Sequence, residues 1–227
     1  MLEAPLGRSP SEGPDRARPA SVVPTEPETV RVRLRPLGLE DLPTLARWLS
    51  DPAVSAFYTE SADVRKLEHK LAPRIRGEGH VRPQVLVWEG RDVGYGQYYL
   101  LPEAERWALA LGPDAVWGGF DLYLGEADTR GRGVGLPAVR TLLAALAAEG
   151  AGRVAVDTWV ENRAAIRCYE RAGLRVVRRL PRYERWHGFW RNHWLLTGDT
   201  VAESATETTA GTAYPAAPRS PERRATS

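Results

Sequence analysis

Over Val30–Pro36 the apolar residues Val30, Val32 and Leu34 alternate with Arg31, Arg33 and Arg35, a pattern that predicts a strand ended by proline. From Leu39 to Leu49 the apolar positions become Leu42, Leu45, Ala46 and Leu49, one face of a helix that Asp51-Pro52 breaks. Val54, Phe57 and Tyr58 follow in a loop or short helix. Ser61 is placed to cap a second helix reaching about Arg76, with Gly77 and Gly79 as stops. Gln84–Trp88 and Val93–Leu101 read as two strands of a hairpin joined by Glu89-Gly90-Arg91-Asp92. Pro102–Gly119 reads as a long interrupted loop carrying Trp107 and Trp117. Alternation returns at Phe120–Leu124, and Val134, Val139, Leu142, Leu143 and Leu146 then take helical spacing. Arg153–Asp157 is a short strand, and Asn162–Ala172 a helix closed by Gly173 as a left-handed cap. Leu174–Leu180 and Trp190–Leu196 complete the order β-α-α-β-β-β-α-β-α-β-β, which predicts an α+β fold with a mixed, mostly antiparallel sheet flanked by helices.

The two ends lack such a pattern. Residues 1–29 are rich in Pro, Glu, Ser and Arg, and residues 200–227 in Thr, Ala, Pro and Glu, so both are expected to be dispensable, disordered tails around one domain at 30–199. With 31 Lys+Arg against 29 Asp+Glu, the net charge of +2 makes no case for nucleic acid. The single cysteine, Cys168, excludes an internal disulfide and a cysteine-based zinc cluster, and in its helix it reads as a core residue. His187 and His193 flank an aromatic run without further metal ligands, so no metal is expected, and Trp186, Trp190 and Trp194 read as core or rim packing or as walls of an acceptor site. No apolar run reaches membrane-spanning length, and Met1-Leu2-Glu3-Ala4-Pro5 does not open a signal peptide; a cytoplasmic protein, monomeric or homodimeric, is the expectation.

The chemistry concentrates between Phe120 and Leu136. After the strand comes Arg130-Gly131-Arg132-Gly133-Val134-Gly135, opening a helix. Glycine lets a backbone approach a ligand closely, and the first helical turn presents unpaired N–H groups. With two arginines added, the segment reads as an anion cradle, suited to phosphate or pyrophosphate, or as a plain structural turn. A P-loop would need lysine and a hydroxyl residue after the last glycine. A dinucleotide fingerprint would need glycine at Leu136.

What remains, Arg130, Gly133 and Gly135 in R-x-x-G-x-G, resembles the pyrophosphate loop of the GCN5-related N-acetyltransferases, the GNAT family, which hold acetyl-coenzyme A there. Asn162, Ala165, Tyr169 and Gly173 resemble the N-x-x-A-x-x-x-Y-x-x-x-G segment that follows in that family, with Leu174 where phenylalanine is usual. The resemblance covers nearly all of residues 30–197 and implies a single GNAT-type domain. Within the family, residues 165–173, Gly94-Tyr95-Gly96-Gln97-Tyr98-Tyr99 and the carboxylates of Asp121 and Asp157 are similar to aminoglycoside 6′-N-acetyltransferases. Phe57-Tyr58 stands where those enzymes carry paired tryptophans. Asp157 is followed by Thr158 rather than proline, Ala164 replaces an arginine, and residues 182–194 depart from the better-known members.

The resemblance assigns acetyl-coenzyme A to Arg130, Gly131, Arg132, Gly133, Val134 and Gly135, with Leu122, Tyr123 and Leu124 lending main-chain N–H groups to the oxyanion and Asn162 binding the pantetheine arm. It assigns a small cationic amine acceptor to Phe57, Tyr58, Tyr98, Glu103, Asp121 and Asp157. An amine is mostly protonated at neutral pH and must lose its proton to attack a thioester. Asp121 would take that proton or orient the cationic substrate; one geometry serves both. Tyr169 would return a proton to the departing thiolate, or simply pack on the sheet. Glu103, Glu105, Asp114, Asp121 and Glu126 against the lone Arg106 suit a polycation. Arg163, Arg167 and Arg171 share a helix face that reads as solvated. An aminoglycoside 6′-N-acetyltransferase is the leading expectation. The alternatives are the same chemistry on a siderophore hydroxylamine, a polyamine or a protein N-terminus, and a non-catalytic acyl-coenzyme A sensor.

Overall fold

The structure, a computed structural model, describes residues 31–186 and 188–200. The ends read as tails and His187 lie outside the described residues, except Thr200, which is buried and bonds through its N–H to Gly152 O at 3.3 Å.

Seven strands make one sheet: β1 (Val32–Pro36), β2 (Val81–Trp88), β3 (Arg91–Leu100), β4 (Trp117–Leu124), β5 (Arg153–Trp159), β6 (Arg175–Trp186) and β7 (Phe189–Asp199). Their spatial order is β1-β2-β3-β4-β5-β7-β6. Every neighbouring pair is antiparallel except β4 and β5, which are parallel. A parallel pair needs a crossover, supplied here by a helix, α5 (Gly135–Ala148). The other α-helices among the described residues are α1 (Leu42–Leu49), α2 (Pro52–Ser55), α3 (Val64–Ile75), α4 (Glu103–Ala108) and α6 (Arg163–Arg171). Among the described residues, no helix is long and apolar enough to cross a membrane.

Strand alternation decides which residue meets which layer. On β4, Phe120 and Leu122 turn towards α5 and α6, packing with Val139, Leu142, Leu146 and Val156. Tyr123 turns to the other face, where Leu45, Trp48, Leu49, Leu67 and Leu71 of α1 and α3 enclose it with Tyr95. Asp121 therefore lies on the face of α1 and α3, next to Tyr123. A third apolar group of Leu101, Leu109, Trp117, Ala155, Leu180 and Leu195 continues that face beneath α4.

The mixed, mostly antiparallel sheet and the order of major elements are as the sequence predicts, with five local differences. β3 begins at Arg91, which pairs with Trp88, so the hairpin link is Glu89-Gly90 rather than residues 89–92. Asp63 rather than Ser61 caps α3, its carboxylate accepting from Arg65 and Lys66 N–H, while Ser61 Oγ supports Asp63. The 102–119 loop contains α4, too short to show a helical period, and β4 begins at Trp117. β2 begins at Val81, three residues before the predicted start. The aromatic segment after Leu180 is itself strand, since β6 runs to Trp186 and β7 begins at Phe189. The β6–β7 register slips between Leu180 and Glu184, which hides the alternation from a strict period-2 reading.

Candidate active site

β4 and β5 pair only at Trp117↔Arg153 and Gly118↔Val154, after which the strands part. β4 stays paired with β3 out to Leu124, and β5 stays paired with β7 out to Trp159. The separation thus leaves two facing strand edges with no partner strand, in the middle of the sheet. Exposed strand edges are strong main-chain hydrogen-bonding surfaces, and an extended ligand fits between them as an added strand does.

Asp121 lies on β4 three residues past the last β4–β5 pair, and Asp157 lies on β5 on the same sheet face. Asp121 Oδ2 accepts from Gln97 Nε2 at 2.7 Å; Gln97 Oε1 accepts from Tyr95 Oη at 2.8 Å and Arg74 Nη1 at 3.0 Å. Burial pushes the Asp121 carboxyl up, the Gln97 hydrogen bond pulls it down and the nearby Asp157 charge pushes it up again, to about 6. The carboxylate is half-buried, surrounded by protein yet still open to solvent. Beside it, Tyr58, Leu67, Lys70, Arg74 and Tyr95 line a narrow cavity of about 10 Å³, room for roughly one water.

Tyr169 lies on the opposite face of the sheet. It is buried on α6 with its ring edge-on to Phe120 at 5.5 Å. Burial, then the Asp121 charge, Cys168 and Asp157, hold its phenol well above the ordinary tyrosine range, so it remains protonated. Asn162 caps α6 by accepting from Ala165 N–H at 3.2 Å, which leaves its amide N–H₂ to donate.

At the far end of the opening, Gly131 and Gly133 take left-handed backbone angles, φ 74° and 83°, and a side chain added at either would point into open space. Val134 is fully buried and anchors the loop beneath α5. The first bond of that turn is Ala138 N–H to Val134 O, so the N–H groups of Gly135 and Leu136 precede any intrahelical bond. Pro137 has none to offer.

A family profile for an acetyltransferase (GNAT) domain matches residues 38–181. This chain belongs to the GNAT family. An aminoglycoside N(6′)-acetyltransferase type 1 from Klebsiella pneumoniae is 28% identical over 159 residues, covering 68% of this chain and 78% of that protein; one from Serratia marcescens matches equally. Among solved structures, the aminoglycoside acetyltransferase AAC(6′)-Ib in complex with coenzyme A superposes with TM-score 0.59 at 23% identity, covering 74% of this chain and 94% of that one. Spermidine N-acetyltransferase from Vibrio cholerae, in complex with coenzyme A and spermine, superposes with TM-score 0.62 at 15% identity, covering 75% and 96%. At these identities the structural likeness establishes the fold.

The structure of this GNAT acetyltransferase gathers some of the residues singled out in the sequence and separates others. Phe57 and Tyr58 straddle the opening: Phe57 meets Trp159 of β5 edge-on at 5.8 Å, and Tyr58 meets Tyr123 of β4 at 4.8 Å. Tyr98 points away, because it stands opposite Phe120 and packs on the α5 face. The neighbouring positions Gln97 and Tyr99 face Asp121 instead, and burial, Asp121, Asp157 and Glu105 hold the Tyr99 phenol above its ordinary value. Counting strand parity from Tyr95 gives that choice. Glu103 is exposed on α4 and accepts from Trp107 Nε1 at 3.2 Å. Glu126 is engaged by Arg47 at 2.6 Å and Trp48 Nε1 at 2.9 Å, so it does not join the acidic face of the opening.

Arg130 is turned inward. Its guanidinium pairs with Asp51, and it donates to Leu124 O at 3.1 Å and Gly125 O at 3.0 Å. It braces the strand end rather than projecting towards a phosphate, and Asp51, at the head of α2, carries no sequence signal for that partnership. Arg132 is exposed at the tip, over the Trp88 ring at 5.6 Å. Arg163, Arg167 and Arg171 are exposed, as a solvated face should be. Cys168 is half-buried against the core, which pushes its thiol up. Among the described residues no group of acidic, histidine and cysteine side chains is arranged to hold a metal ion.

Proposed function

We propose that this acetyltransferase moves the acetyl group of acetyl-coenzyme A to a primary amine, and that the amine is the 6′-amine of an aminoglycoside. The observation that carries the reading is the pair Asp121 and Asp157, two carboxylates on one face of the sheet where β4 and β5 separate. A polyamine sugar is held by opposed carboxylates and stacked on aromatic walls, and Phe57, Tyr58, Tyr99 and Trp159 supply the walls. The curated relatives at 28% identity favour this acceptor class over the spermidine enzymes, which share the fold at 15%.

The 131–136 loop fits the coenzyme. Two left-handed glycines keep it free of side chains, nothing lies in front of them, and the free N–H groups of Gly135 and Leu136 suit a pyrophosphate. The coenzyme supplies an acetyl thioester. The chain's residues do the rest. The open β4 edge from Leu122 to Leu124 offers main-chain N–H groups to the arm and to the charge that develops on the transferred carbonyl. Asp121, ionised at neutral pH, holds the acceptor ammonium and takes its proton. Tyr169, protonated on the opposite face, gives a proton to the departing sulfur. Arg130 holds the loop to α2, and so to the aromatic pair that follows it.

Purified protein with acetyl-coenzyme A should release free thiol with kanamycin-like or tobramycin-like amines at a kcat/KM at least tenfold above spermidine or a peptide with a free N-terminus. Equal or better turnover of the polyamine or peptide would overturn the acceptor assignment and leave the family untouched.

A further inference from the structure

His193 stands opposite Trp159 across the β5–β7 ladder, on the sheet face that carries Asp121 and Asp157, and only 5% of its surface is exposed. Its Nδ1 lies 2.6 Å from Asp157 Oδ2, and its Nε2 lies 3.4 Å from Glu184 Oε2 on β6. Glu184 is fixed from two further elements: Trp159 Nε1 donates to Oε2 at 2.9 Å, and Thr59 Oγ1 donates to Oε1 at 3.2 Å. Thr59 directly follows the aromatic pair Phe57-Tyr58. The Tyr183 ring covers the imidazole at 5.0 Å, and Arg191, opposite Glu184 in the hairpin, lies over Trp159 at 4.8 Å.

Burial disfavours charge on this imidazole, but the two carboxylates more than offset it, and His193 is pushed up to about 9. Burial alone would raise Glu184, and the imidazole of His193 beside it and the hydrogen bond from Trp159 hold it below the usual carboxylate range. The cluster is therefore an imidazolium between two anions. Asp157 spends one oxygen on it, yet 32% of the Asp157 side chain remains open. The fold has stationed a buried cation directly behind a carboxylate that faces the opening.

We propose that His193 is a positioning residue of the acceptor site: clamped between Glu184 and Asp157, it aims the Asp157 carboxylate at the β4–β5 opening and ties the loop after Tyr58 to the β6–β7 hairpin. The proposal rests on an amine acceptor lying between Asp121 and Asp157, and not on which amine it is. Asp121 faces Gln97, Asp157, Lys70 and Arg74, and the Asp157 that pushes it up is the carboxylate that His193 partners. With His193 neutral, the Asp157 charge acts on Asp121 uncompensated, and Asp121 ionises less readily.

The test uses the full chain with His193→Gln, which keeps a donor and removes the charge. Carbon-13 NMR titration of the Asp121 carboxyl needs no acceptor. The midpoint should rise from about 6 by about one pH unit. For whichever amine the wild type acetylates, KM should rise about tenfold, while KM for acetyl-coenzyme A stays within about twofold. An unchanged Asp121 midpoint, or an unchanged acceptor KM, in the folded variant overturns the proposal. If His193→Gln does not melt cooperatively, Glu184→Gln carries the acceptor KM arm of the test, with a smaller rise in KM expected and no rise overturning the proposal. Failure to acetylate any aminoglycoside would remove the acceptor proposed above and leave this titration to decide the clamp by itself.

Discussion

Replacing Asp121 with asparagine should lower kcat by about 10²–10⁴-fold, the usual contribution of a positioned general base. The substitution is nearly isosteric, and asparagine Oδ1 can still accept from Gln97, so packing at β3–β4 is kept. The wild-type profile gives the sign. The Asp121 carboxyl is pushed up to about 6, so the base form is lost below that pH and present above it. Wild-type kcat/KM should therefore rise as pH passes upward through about 6, and Asp121→Asn should lack that limb. Steady-state kinetics from pH 5 to 9 by thiol release reads both effects. A rise in KM at unchanged kcat would confine Asp121 to anchoring the acceptor.

The second large effect belongs to the glycine loop. Gly133→Val forces a β-branched residue to adopt φ 83°, a strain of about 1–3 kcal/mol, and fills the open space before the α5 N-terminus. Acetyl-coenzyme A at a hundred times its Kd stabilises a folded protein by about 2.7 kcal/mol, an easily read shift in Tm. Wild type should show that shift and Gly133→Val should show none, while still melting cooperatively without ligand. An equal shift in the variant would move the coenzyme away from this loop.

How far the sequence discloses this molecule depends on how local each signal is. The strong alternation at residues 30–36 and 120–124 and the long apolar period of α5 are set by one sheet face or one helix stripe, so they are legible from neighbours in the chain. The hairpin Arg175–Asp199 is not, because its register slips between Leu180 and Glu184 and interrupts the period that reveals a strand. The candidate site divides the same way. Gly131, Gly133 and Asn162 announce themselves because backbone angle and capping are local needs. Tyr98 misleads, because the two adjacent tyrosines Tyr98 and Tyr99 look alike and only strand parity separates them. The partnership of Arg130 with Asp51 and the clamp of His193 by Asp157 and Glu184 join residues 36 or more positions apart, or across a hairpin whose register is irregular. A single sequence carries no record of such pairs.

The proposed acetyl transfer to a 6′-amine held between β4 and β5 can be read from the reaction products. Its most direct measurement uses two aminoglycosides matched except at the 6′ position, one with an amine and one with a hydroxyl, each incubated with acetyl-coenzyme A and purified enzyme. Product analysis by NMR and mass spectrometry should find a single acetyl group on the 6′-nitrogen of the first and no acetylation at the 6′ position of the second. Acetylation of both compounds at a shared amine elsewhere on the ring system would rule out the 6′-amine as the acceptor.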